Sequence, residues 1–466
     1  MSNSLIAVVM AAGKSTRFKS RRSKLATPVH GKSMIERVIE ATEGLSPQAI
    51  YVMVGHCAED VQSALRKHPV EFITQEPQLG TGHCILVATQ QIPQTSGTVL
   101  ILNGDIPLIG LNLLKKILES HHSERADATV VSTCLEDPSG YGRILKNRSG
   151  KITRIVEDRD ATPAQRRVKE INVGLYLISL DLLKKFISRL SNQNSQQEYY
   201  LTDLIELLIA ARKKVNVFGT PDPMEVLGVN DRIELAEVIR VLRLRTLQRL
   251  MRDGVTILDP ATTSVEEDVT IGQDTILFPG VRIEGPSSIG RRCVIRSHCR
   301  ITHSILGDDV VVNDLSVINE SHVAEKASIG PFAHLRLEAE VESNARVGNF
   351  VELKKARLGQ NSKASHLTYL GDTTVGQNAN IGAGTITCNY DGVNKNVTEI
   401  EDDCFIGSGV ELVAPVVVHK GAYVAAGSVI TRDVPPDALA IARGRQENKQ
   451  DWKQKRAEQK SKPTKA

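Results

Sequence analysis

The first half of the chain alternates short apolar runs with stretches of helical periodicity. The runs predict strands at Leu5–Met10, Ile50–Val54, Thr98–Leu102, Thr129–Thr133 and Val173–Ile178. Between them, segments such as 33–42 and 58–67 have the spacing of amphipathic helices. Strand–helix alternation of this kind is typical of βαβ units. Residues 1–229 are therefore predicted to form an α/β domain with a mainly parallel sheet, whose ligands are expected at the carboxyl ends of the strands.

A single helix is predicted over residues 231–252. Its apolar stripe consists of Ile233, Leu235, Val238, Ile239, Leu242, Leu247 and Leu250, and most of its arginines lie off the stripe. A basic amphipathic helix can lie on a membrane, but a connector that packs between two domains is the preferred interpretation. Residues 230–253 are therefore assigned to a linker helix.

From residue 254 to residue 445 the apolar period changes to six. Aliphatic residues recur at Val265, Ile271, Leu277, Ile283, Ile289, Ile295 and Ile301, and the phase returns over 323–353 and 400–430. Three hexads make one triangular coil, and coils stack at a strand spacing of about 4.8 Å. The pattern predicts a left-handed parallel β-helix with a continuous aliphatic interior. Breaks of phase near 303–322, 354–374 and 386–399 predict loops that leave the coil, where chemistry is commonly placed.

Composition excludes several classes of protein. No apolar run approaches the roughly 18–20 residues that span a membrane, so membrane insertion is not expected. The seven cysteines form no C-x-x-C pair. Reduced thiols in a cytoplasm are therefore expected, rather than a disulfide framework or a thiolate zinc site.

The net charge of +4 is concentrated in the C-terminal tail. Residues 445–466 carry eight Lys or Arg against three Asp or Glu, so the rest of the chain sums to −1. Residues 446–466 are predicted to be a basic, disordered tail. Because the folded body has no excess of positive charge, a nucleic-acid partner is not expected.

The loop after the first strand has the composition of a phosphate-binding loop. Met10-Ala-Ala-Gly-Lys-Ser-Thr-Arg17 precedes a helix, so its small residues let backbone N–H groups approach phosphate oxygens. It matches neither a Walker A loop nor a G-x-G-x-x-G fingerprint. Lys24 could neutralise phosphate charge, and Gln75 with Gly80-Thr81-Gly82 has the character of a base-recognising loop. Asp105 ends a strand, where its carboxylate is placed to hold Mg²⁺.

This set resembles the sugar-nucleotide pyrophosphorylases, whose loop reads close to L-A-A-G-x-G-T-R-M. The resemblance continues at Gly140–Arg143, Ile155–Glu157, Glu170–Asn172, Glu198–Asp203 and Gly228–Asn230. With the β-helix behind it, nearly the whole chain is similar to the family of bifunctional N-acetylglucosamine-1-phosphate uridylyltransferases and glucosamine-1-phosphate acetyltransferases. The resemblance implies a nucleotidyltransferase domain with a Rossmann-like mixed sheet, followed by an acetyltransferase β-helix.

For the first domain, the resemblance implies a site for UTP, N-acetylglucosamine 1-phosphate and Mg²⁺. It assigns the uridine nucleotide to Met10, Ala11, Ala12, Gly13, Lys24, Gln75, Gly80 and Thr81. It assigns the sugar to Gly142, Glu157 and Asn172, and the metal to Asp105 and Asn230. The chain departs from the family's loop at Ser15, Ser23 and Asn103, where the family usually has Gly, Pro and Tyr. A sugar phosphate oxygen is already an anionic nucleophile, so catalysis is expected to be positioning and charge neutralisation by Mg²⁺, Arg17 and Lys24.

For the second domain, the run from Asn349 to Asp372 carries the resemblance. His366 is the candidate general base, since histidine titrates near neutral pH, and Glu352 is expected to orient it. The resemblance assigns the amino-sugar phosphate to Arg336, Lys354, Tyr369 and Asn380. It assigns acetyl-CoA to Ala383, Asn389, Tyr390, Ser408, Ala426 and Arg443. His334, beside Arg336, departs from the family's pattern. The family assembles as homotrimers with the CoA site between neighbours, so a homotrimer is expected here.

Two other functions remain open at the level of sequence. His298 and His303 form the H-x₄-H pair of zinc-binding β-helices, but no histidine lies between 122 and 298 to supply an upstream third ligand. Alternatively, the chain is a single-activity pyrophosphorylase whose β-helix only oligomerises or regulates. The complete motif around His366 and the Asn389-Tyr390 loop favour the bifunctional interpretation.

Overall fold

The computed structural model describes residues 4–13 and 15–461. Lys14 of the predicted phosphate loop and residues 462–466 of the predicted tail lie outside these ranges. The chain forms two compact units, Met1–Leu244 and Arg245–Ala466. No helix within the described ranges is both long and apolar enough to cross a bilayer.

The first unit is built on a nine-stranded mixed sheet. Along its main order the strands are Val215–Gly219, Ala128–Cys134, Glu170–Ser179, Thr98–Asn103, Leu5–Met10, Ala49–Val54 and Glu71–Thr74. Gly142–Lys146 and Ile152–Val156 form a hairpin at one end of Glu170–Ser179. Within the main order, Glu170–Ser179 runs antiparallel to both neighbours and the other pairs are parallel. The predicted α/β class is confirmed, and all five predicted strands are present. A separate short pair consists of Pro28–Val29 and Lys32–Ser33.

Both faces of this sheet are buried. In the strand Leu5–Met10, Ile6 and Val8 belong to one apolar cluster, and Ala7 and Val9 belong to the other. Near-continuous apolar runs are typical of parallel strands covered on both sides. The helices before residue 232 are Met34–Glu43, Ala58–Ala64, Thr81–Gln91, Leu111–Ser123, Pro163–Arg166, Leu180–Phe186 and Asp203–Ala210, with 3₁₀ turns at Thr16–Phe18, Lys24–Ala26, Ile187–Arg189 and Pro223–Glu225.

The helix predicted over 231–252 is observed at Arg232–Arg252. Its first part belongs to the first unit, where Leu235, Val238 and Leu242 join an apolar cluster. Its last part belongs to the second unit, where Leu247 and Leu250 join the interior of the β-helix. Ile233, predicted to lie on the apolar stripe, is 82% exposed. The boundary between the two units therefore falls inside the helix assigned to the linker.

The second unit is a left-handed parallel β-helix with three strand faces. One face consists of Thr256–Ile257, Ile276–Leu277, Val294–Ile295, Val311–Val312, Ser328–Ile329, Arg346–Asn349, Lys363–His366, Asn380–Ile381, Phe405–Ile406, Tyr423–Val424 and Leu439–Ala440. The second consists of Ser264–Val265, Arg282–Glu284, Arg300–Thr302, Val317–Asn319, His334–Arg336, Glu352–Leu358, Tyr369–Val375, Ile386–Cys388, Glu411–Val413 and Val429–Ile430. The third consists of Thr270–Ile271, Ser288–Ile289, Ile305–Leu306, His322–Val323, Glu340–Val341, Thr398–Ile400 and Val416–Val418, and it shares the two long strands of the second face.

The predicted aliphatic positions form the interior of the β-helix. Val265, Leu277, Ile283, Ile289, Ile295 and Ile301 are all buried in a single cluster that continues to Val434. Ile271 is only partly buried and packs against the edge of that cluster. The six-residue period is thus the signature of side chains that point inward once on each face.

Two of the three predicted loops are wrong. Ser264 pairs with Arg282, which follows it by three full hexads, whereas Ser288 pairs with Ile305, one position short of that interval. Glu352 pairs with Tyr369, again one position short. The phase breaks near 303–322 and 354–374 are therefore coils shortened by a single residue, with strands on all three faces. A single missing residue shifts the sequence phase without expelling the chain from the coil.

The third predicted loop is present. Lys363 pairs with Asn380 across one shortened coil, whereas Asn380 pairs with Phe405, an interval longer than four hexads. The extra residues leave the coil after the strand Ile386–Cys388 and return at the strand Thr398–Ile400.

The predicted disorder of the tail is contradicted over part of its length. Residues Trp452–Ser461 form a helix. The segment is rich in Lys, Arg, Gln, Glu and Ala, which are good helix formers. The low hydrophobicity and basic charge of this segment predict that it makes no contact with a hydrophobic core. Its described side chains are exposed, as that predicts.

Candidate active sites

A cavity of about 480 Å³ lies at the carboxyl ends of the central strands of the first unit. The structure brings eleven of the predicted residues to its walls: Met10, Ala11, Ala12, Gly13, Arg17, Lys24, Gln75, Gly80, Thr81, Asp105 and Asn230. The remaining lining residues are Ser15, Leu25, Gln78, Cys84, Asn103 and Glu198. The site therefore lies where the topology of an α/β sheet places ligands.

The loop after the first strand lines the cavity with small residues. Ala11 and Ala12 are buried, and the N–H of Ala11 donates to the carbonyl of Met53 at 2.9 Å. A Cβ placed on Gly13 would meet no atom within 4 Å, so open space faces this residue. Small side chains here leave room for a phosphate chain against the backbone.

Two cations hold the two predicted metal ligands. The Lys24 ammonium lies 2.6 Å from a carboxylate oxygen of Asp105 and donates to the Val229 carbonyl at 2.8 Å. The Arg17 guanidinium donates to Oδ1 of Asn230 at 2.7 Å. Carboxylate and amide oxygens are hard ligands that suit a divalent cation. The donor set thus fits a metal ion, and four predicted residues form one connected group.

The wall formed by Gln75, Gly80 and Thr81 is braced by a distant segment. The Gln75 amide donates to the Gly80 carbonyl at 3.1 Å, and the Thr81 hydroxyl accepts from the N–H of Leu201 at 3.1 Å. Gly80 has a φ of 103°, and a Cβ there would lie 2.7 Å from the carbonyl oxygen of Tyr199. Only glycine fits this approach.

Sequence reasoning missed Leu25, Gln78, Cys84 and Glu198 as lining residues. Cys84 lies one turn after Thr81 on the same helix, so helical spacing was an available signal. Burial raises the pKa of the Cys84 thiol to about 12. The thiol therefore stays protonated and is not a nucleophile, so Cys84 only lines the cavity. Glu198 belongs to a motif that carried the family resemblance, but its position across the cavity depends on a contact with the Gly80 segment.

Gly142, Glu157 and Asn172 form a separate group of the same unit. Gly142 and Asn172 are paired across adjacent strands, and a Cβ on Gly142 would lie 3.4 Å from a Glu157 carboxylate oxygen. That carboxylate accepts from the Thr202 hydroxyl at 2.9 Å. Burial raises the pKa of Glu157, and the hydrogen bond from Thr202 opposes the rise. These three predicted sugar ligands lie together, but they do not line the cavity described above.

In the second unit, His366 is exposed and its ring is held by Asn349. Its Nδ1 lies 2.6 Å from Oδ1 of Asn349, and the two residues are register partners in adjacent coils. An amide oxygen can only accept, so Nδ1 carries the proton and Nε2 presents a lone pair. Glu352, predicted to orient His366, instead accepts from Arg336 at 2.7 Å. The orienting role of Glu352 therefore stays a prediction.

The two predicted phosphate-binding cations are both paired with carboxylates. Lys354, only 5% exposed, lies 2.9 Å from Asp372, and Arg336 is held by Glu352. The hydrogen bond to Asp372 raises the pKa of Lys354. Asp372 also accepts from the side-chain amide of Asn389, which brings the base of the 389–397 loop to this cluster. A buried ammonium needs such a partner when no phosphate is near.

The other predicted sugar ligands lie on different faces. Tyr369 is the register partner of Glu352, and its hydroxyl lies over Gly371. Asn380 lies on the face of His366, one coil after Lys363. The two side chains are thus separated by a corner of the coil.

Four of the six predicted acetyl-CoA residues, Ala383, Ser408, Ala426 and Arg443, lie along a single corner of the β-helix. The N–H groups of Gly409 and Gly427 donate to the carbonyls of Ala383 and Ser408, at 2.7 and 2.8 Å. The Arg443 guanidinium continues the column by donating to the Ala426 carbonyl at 2.6 Å. In the coils before them, the same corner position is taken by Asn349 and His366. The column Asn349, His366, Ala383, Ser408 and Ala426 therefore runs straight along the β-helix, and Arg443 directly follows its next position, Ala442.

The next residue at this corner is large in the coils up to Leu367 and is glycine in the coils that follow. Leu315, Phe332, Phe350 and Leu367 are exposed apolar side chains with φ between 48° and 61°. The equivalent residues after them are Gly384, Gly409 and Gly427, with φ between 64° and 77°. Because Leu and Phe tolerate this backbone, glycine is not required for conformation. Its effect is to leave an open trough that starts beside His366.

Tyr390 is exposed on the 389–397 loop, where its hydroxyl donates to the Gly392 carbonyl at 2.6 Å. His298 and His303 are corner residues whose rings pack over Gly280 and Gly285. Among the described residues, no group of three His, Cys, Asp or Glu side chains is arranged to hold a metal ion.

Comparison with known proteins agrees with the two-domain architecture. Residues 7–161 match the family model of the MobA-like NTP transferase domain. Residues 268–303 and 398–432 match the bacterial transferase hexapeptide model of six repeats. A protein of an Exiguobacterium species named "Bifunctional protein GlmU" is 45% identical over 446 residues, which are 96% of this chain and 98% of the relative. Proteins of the same name from Geotalea daltonii and Geotalea uraniireducens are each 46% identical, over 96% and 97% of this chain and 98% and 100% of theirs.

The fold and the two sites define a transferase in which a nucleotidyltransferase domain precedes a hexapeptide-repeat acyltransferase. The β-helix is thus a second catalytic domain rather than a regulatory one. The chain belongs to the GlmU family of bifunctional enzymes, and it carries a uridylyltransferase and an acetyltransferase activity for the synthesis of UDP-N-acetylglucosamine. A nucleotidyltransferase of this kind uses a divalent metal, which Asp105 and Asn230 are suited to hold.

Proposed function

We propose that the second unit acetylates glucosamine 1-phosphate and that the first unit then couples the product to UTP, releasing pyrophosphate. Acetylation comes first because the product of the second unit is the sugar phosphate that the first unit consumes. The observation that carries this proposal is the column from His366 to Arg443. It sets a histidine with a free Nε2 at the start of an open trough, on a chain that also has a phosphate-loop cavity.

In the acetyl transfer, His366 acts as the general base. Nδ1–H donates to Asn349, so Nε2 is available to take a proton from the amine of the sugar. The amine attacks the thioester carbonyl, the C–N bond forms, and the C–S bond to CoA breaks. The proton on Nε2 then passes to the departing sulfur, which returns the histidine to its neutral form.

The sugar phosphate is proposed to bind Arg336 and Lys354 with help from Tyr369 and Asn380. Each cation is already pre-positioned by a carboxylate, Glu352 for Arg336 and Asp372 for Lys354. A phosphate dianion adds a charge-assisted partner to both cations. Asp372 and Glu352 then hold the cations in place rather than compete for the substrate.

Acetyl-CoA is proposed to lie in the trough that begins at Leu367. The side of the trough is formed by Ala383, Ser408 and Ala426. Its floor is formed by Gly384, Gly409 and Gly427, which have no side chains to fill it. Asn389 and Tyr390 approach from the 389–397 loop. Arg443, at the far end of the column, is a cation suited to a phosphate of CoA.

In the uridylyl transfer, the anionic sugar phosphate attacks the α-phosphorus of UTP in line, and pyrophosphate leaves. Met10–Gly13, Gln75, Gly80 and Thr81 bind the nucleotide, while Gly142, Glu157 and Asn172 bind the sugar. Arg17 and Lys24 neutralise charge on the triphosphate. Mg²⁺, held by Asp105 and Asn230, supplies further positive charge when bound.

One assay tests the proposal as a whole. The protein is given glucosamine 1-phosphate, acetyl-CoA, UTP and Mg²⁺, and UDP-N-acetylglucosamine is sought by mass spectrometry. CoA release with glucosamine 1-phosphate alone tests the second unit by itself. If CoA release is absent while N-acetylglucosamine 1-phosphate still gives the UDP-sugar, the single-activity pyrophosphorylase is the correct interpretation.

We also propose a cytoplasmic homotrimer. The three flat faces of the β-helix suit cyclic symmetry, and the seven cysteines are all free, as expected in a reducing compartment. Sedimentation equilibrium would give about three times the chain mass of 50.9 kDa for the trimer. A mass near that of one chain rejects it.

A further inference from the structure

The metal ligands proposed for the first unit are both engaged by basic side chains of the same cavity. Lys24 is 8% exposed and has two acceptors, the Asp105 carboxylate at 2.6 Å and the Val229 carbonyl at 2.8 Å. Arg17 donates to the oxygen of Asn230 that a metal would need, at 2.7 Å. A metal ion that binds both residues must therefore compete with these two cations.

The backbone around this group is fixed, so the change must be made by side chains. The N–H of Val229 donates to the carbonyl of Asp105 at 2.9 Å. Asp105 packs against Gly228, where a Cβ would lie 2.9 Å from the carboxylate, so the glycine makes room for the carboxylate in this position. Lys24 starts a 3₁₀ turn that is capped by the Ser23 hydroxyl. Its long aliphatic stem is the flexible part of the arrangement.

The net charge in the cavity determines when the Lys24 ammonium leaves Asp105. Among the described residues that line the cavity, Arg17 and Lys24 are opposed by Asp105 and Glu198, so the lining is neutral. A dication arriving alone meets two cations at its own ligands and offers them no new anion. A nucleoside triphosphate brings several negative charges into the same cavity and gives the ammonium an acceptor other than Asp105.

We propose that Lys24 is a latch on Asp105. It keeps the metal site closed in the nucleotide-free protein and opens it when a triphosphate accepts the ammonium, so the metal ion enters with or after the nucleotide. This inference rests on the proposed roles of Asp105 and Asn230. It adds that the nucleotide binds before or together with the metal ion. It also gives Lys24 a positioning role, which the metal site alone does not require.

Metal binding to the full-length protein tests the latch without measuring turnover. Free Mn²⁺ is followed by electron paramagnetic resonance, with and without a non-hydrolysable UTP analogue. Without nucleotide, Lys24→Gln is expected to bind Mn²⁺ at least tenfold more tightly than the wild type. The analogue should raise the Mn²⁺ affinity of the wild type by a larger factor than that of Lys24→Gln, in which Asp105 is already free.

Two further variants separate the possible outcomes. Lys32→Gln removes the same charge from a surface pair with Glu40 and should leave Mn²⁺ affinity within about twofold of the wild type, which excludes a general field effect. Asp105→Asn should lose Mn²⁺ binding with the analogue present. If it does, and Lys24→Gln binds Mn²⁺ no better than the wild type, the latch is rejected and the metal site stands. If Asp105→Asn binds Mn²⁺ normally, the metal site itself is rejected. Lys24→Met, judged by its circular dichroism melt, replaces Lys24→Gln if the latter does not fold.

Discussion

Nδ1 of His366 lies 2.6 Å from Oδ1 of Asn349, one coil earlier at the same corner of the β-helix. The pairing sets the tautomer of the ring and directs Nε2 away from Asn349. In metal sites, removal of a residue that orients a histidine typically costs about 10–100-fold in activity, and we take the same scale for this pair. We therefore expect Asn349→Leu to lower kcat for acetyl transfer by roughly 10–100-fold and to change its pH profile.

Asn319→Leu is the matched control for this variant. Asn319 accepts from the Thr302 hydroxyl at 2.9 Å through the same kind of atom, but in earlier coils and on another face. It should leave the acetyl-transfer rate and its pH profile unchanged. Equal pH profiles for Asn349→Leu and the wild type would contradict an orienting role for Asn349.

Replacement of His366 should separate the two activities. His366→Ala removes the proposed base, and general base catalysis is commonly worth about 10²–10⁴-fold. We expect CoA release with glucosamine 1-phosphate to fall by at least about 100-fold, while N-acetylglucosamine 1-phosphate and UTP still yield the UDP-sugar. Full acetyl transfer by the variant would remove His366 from the mechanism.

Replacement of Asp105 should have the opposite effect. Asp105→Ala deletes a proposed Mg²⁺ ligand and leaves the Lys24 ammonium without its carboxylate. We expect pyrophosphate release to fall by at least about 100-fold because charge neutralisation at the triphosphate is lost. Acetyl transfer, measured as CoA release in the same preparation, should be retained and serves as the control. Unchanged pyrophosphate release would exclude Asp105 from the uridylyl step.

The glycine at the centre of the trough can be tested by filling it. Gly409 has a φ of 64°, close to the 61° of Leu315 and the 55° of Phe332 at the same corner, so the backbone accepts a large side chain. Gly409→Phe should raise the KM for acetyl-CoA at least about tenfold by blocking the proposed groove. Leu315→Phe adds a ring at the same corner but three coils before His366, and its KM should not change. A normal KM for Gly409→Phe would place CoA elsewhere.

His121 predicts the acid sensitivity of the first unit. It is 4% exposed, with Nδ1 2.9 Å from the Thr129 hydroxyl. Burial lowers its pKa to about 4, the neighbouring His122 adds to the effect, and Asp127 opposes it. A lowered folded-state pKa means that the stabilisation is complete above the unfolded pKa of about 6.5 and is lost as the pH falls toward 4.

We therefore expect the wild type to lose up to roughly 3 kcal/mol more unfolding free energy than His121→Gln between pH 7 and pH 4. Urea unfolding followed by far-ultraviolet circular dichroism at both pH values measures this difference. His419, which faces Glu401 on the β-helix surface at 3.2 Å, provides the control variant His419→Gln. If wild type and His121→Gln lose stability in parallel, burial of His121 does not govern acid unfolding.

The strands and the six-residue repeat could be predicted because they depend on local periodicity. A buried strand shows as an apolar run, and a β-helix shows as one inward aliphatic residue in six, whatever lies elsewhere in the chain. The predicted strand Leu5–Met10 has the observed bounds. The walls of the first cavity could be predicted as well, since each short motif ends a strand or begins a helix at the same edge of the sheet.

The sequence by itself therefore determined the two fold classes, the order of the domains and the residue types at each site. Only the tertiary structure determined which charged side chains form ion pairs. Asp105 is 81 residues from Lys24, and no local pattern indicates that the ammonium lies against this carboxylate. It also decided that Asn349 rather than Glu352 contacts His366, and that two phase breaks are shortened coils while the third is a loop. Hydrophobic periodicity is a property of neighbouring residues, whereas partner choice depends on distances across coils and strands that are set only when the chain is packed.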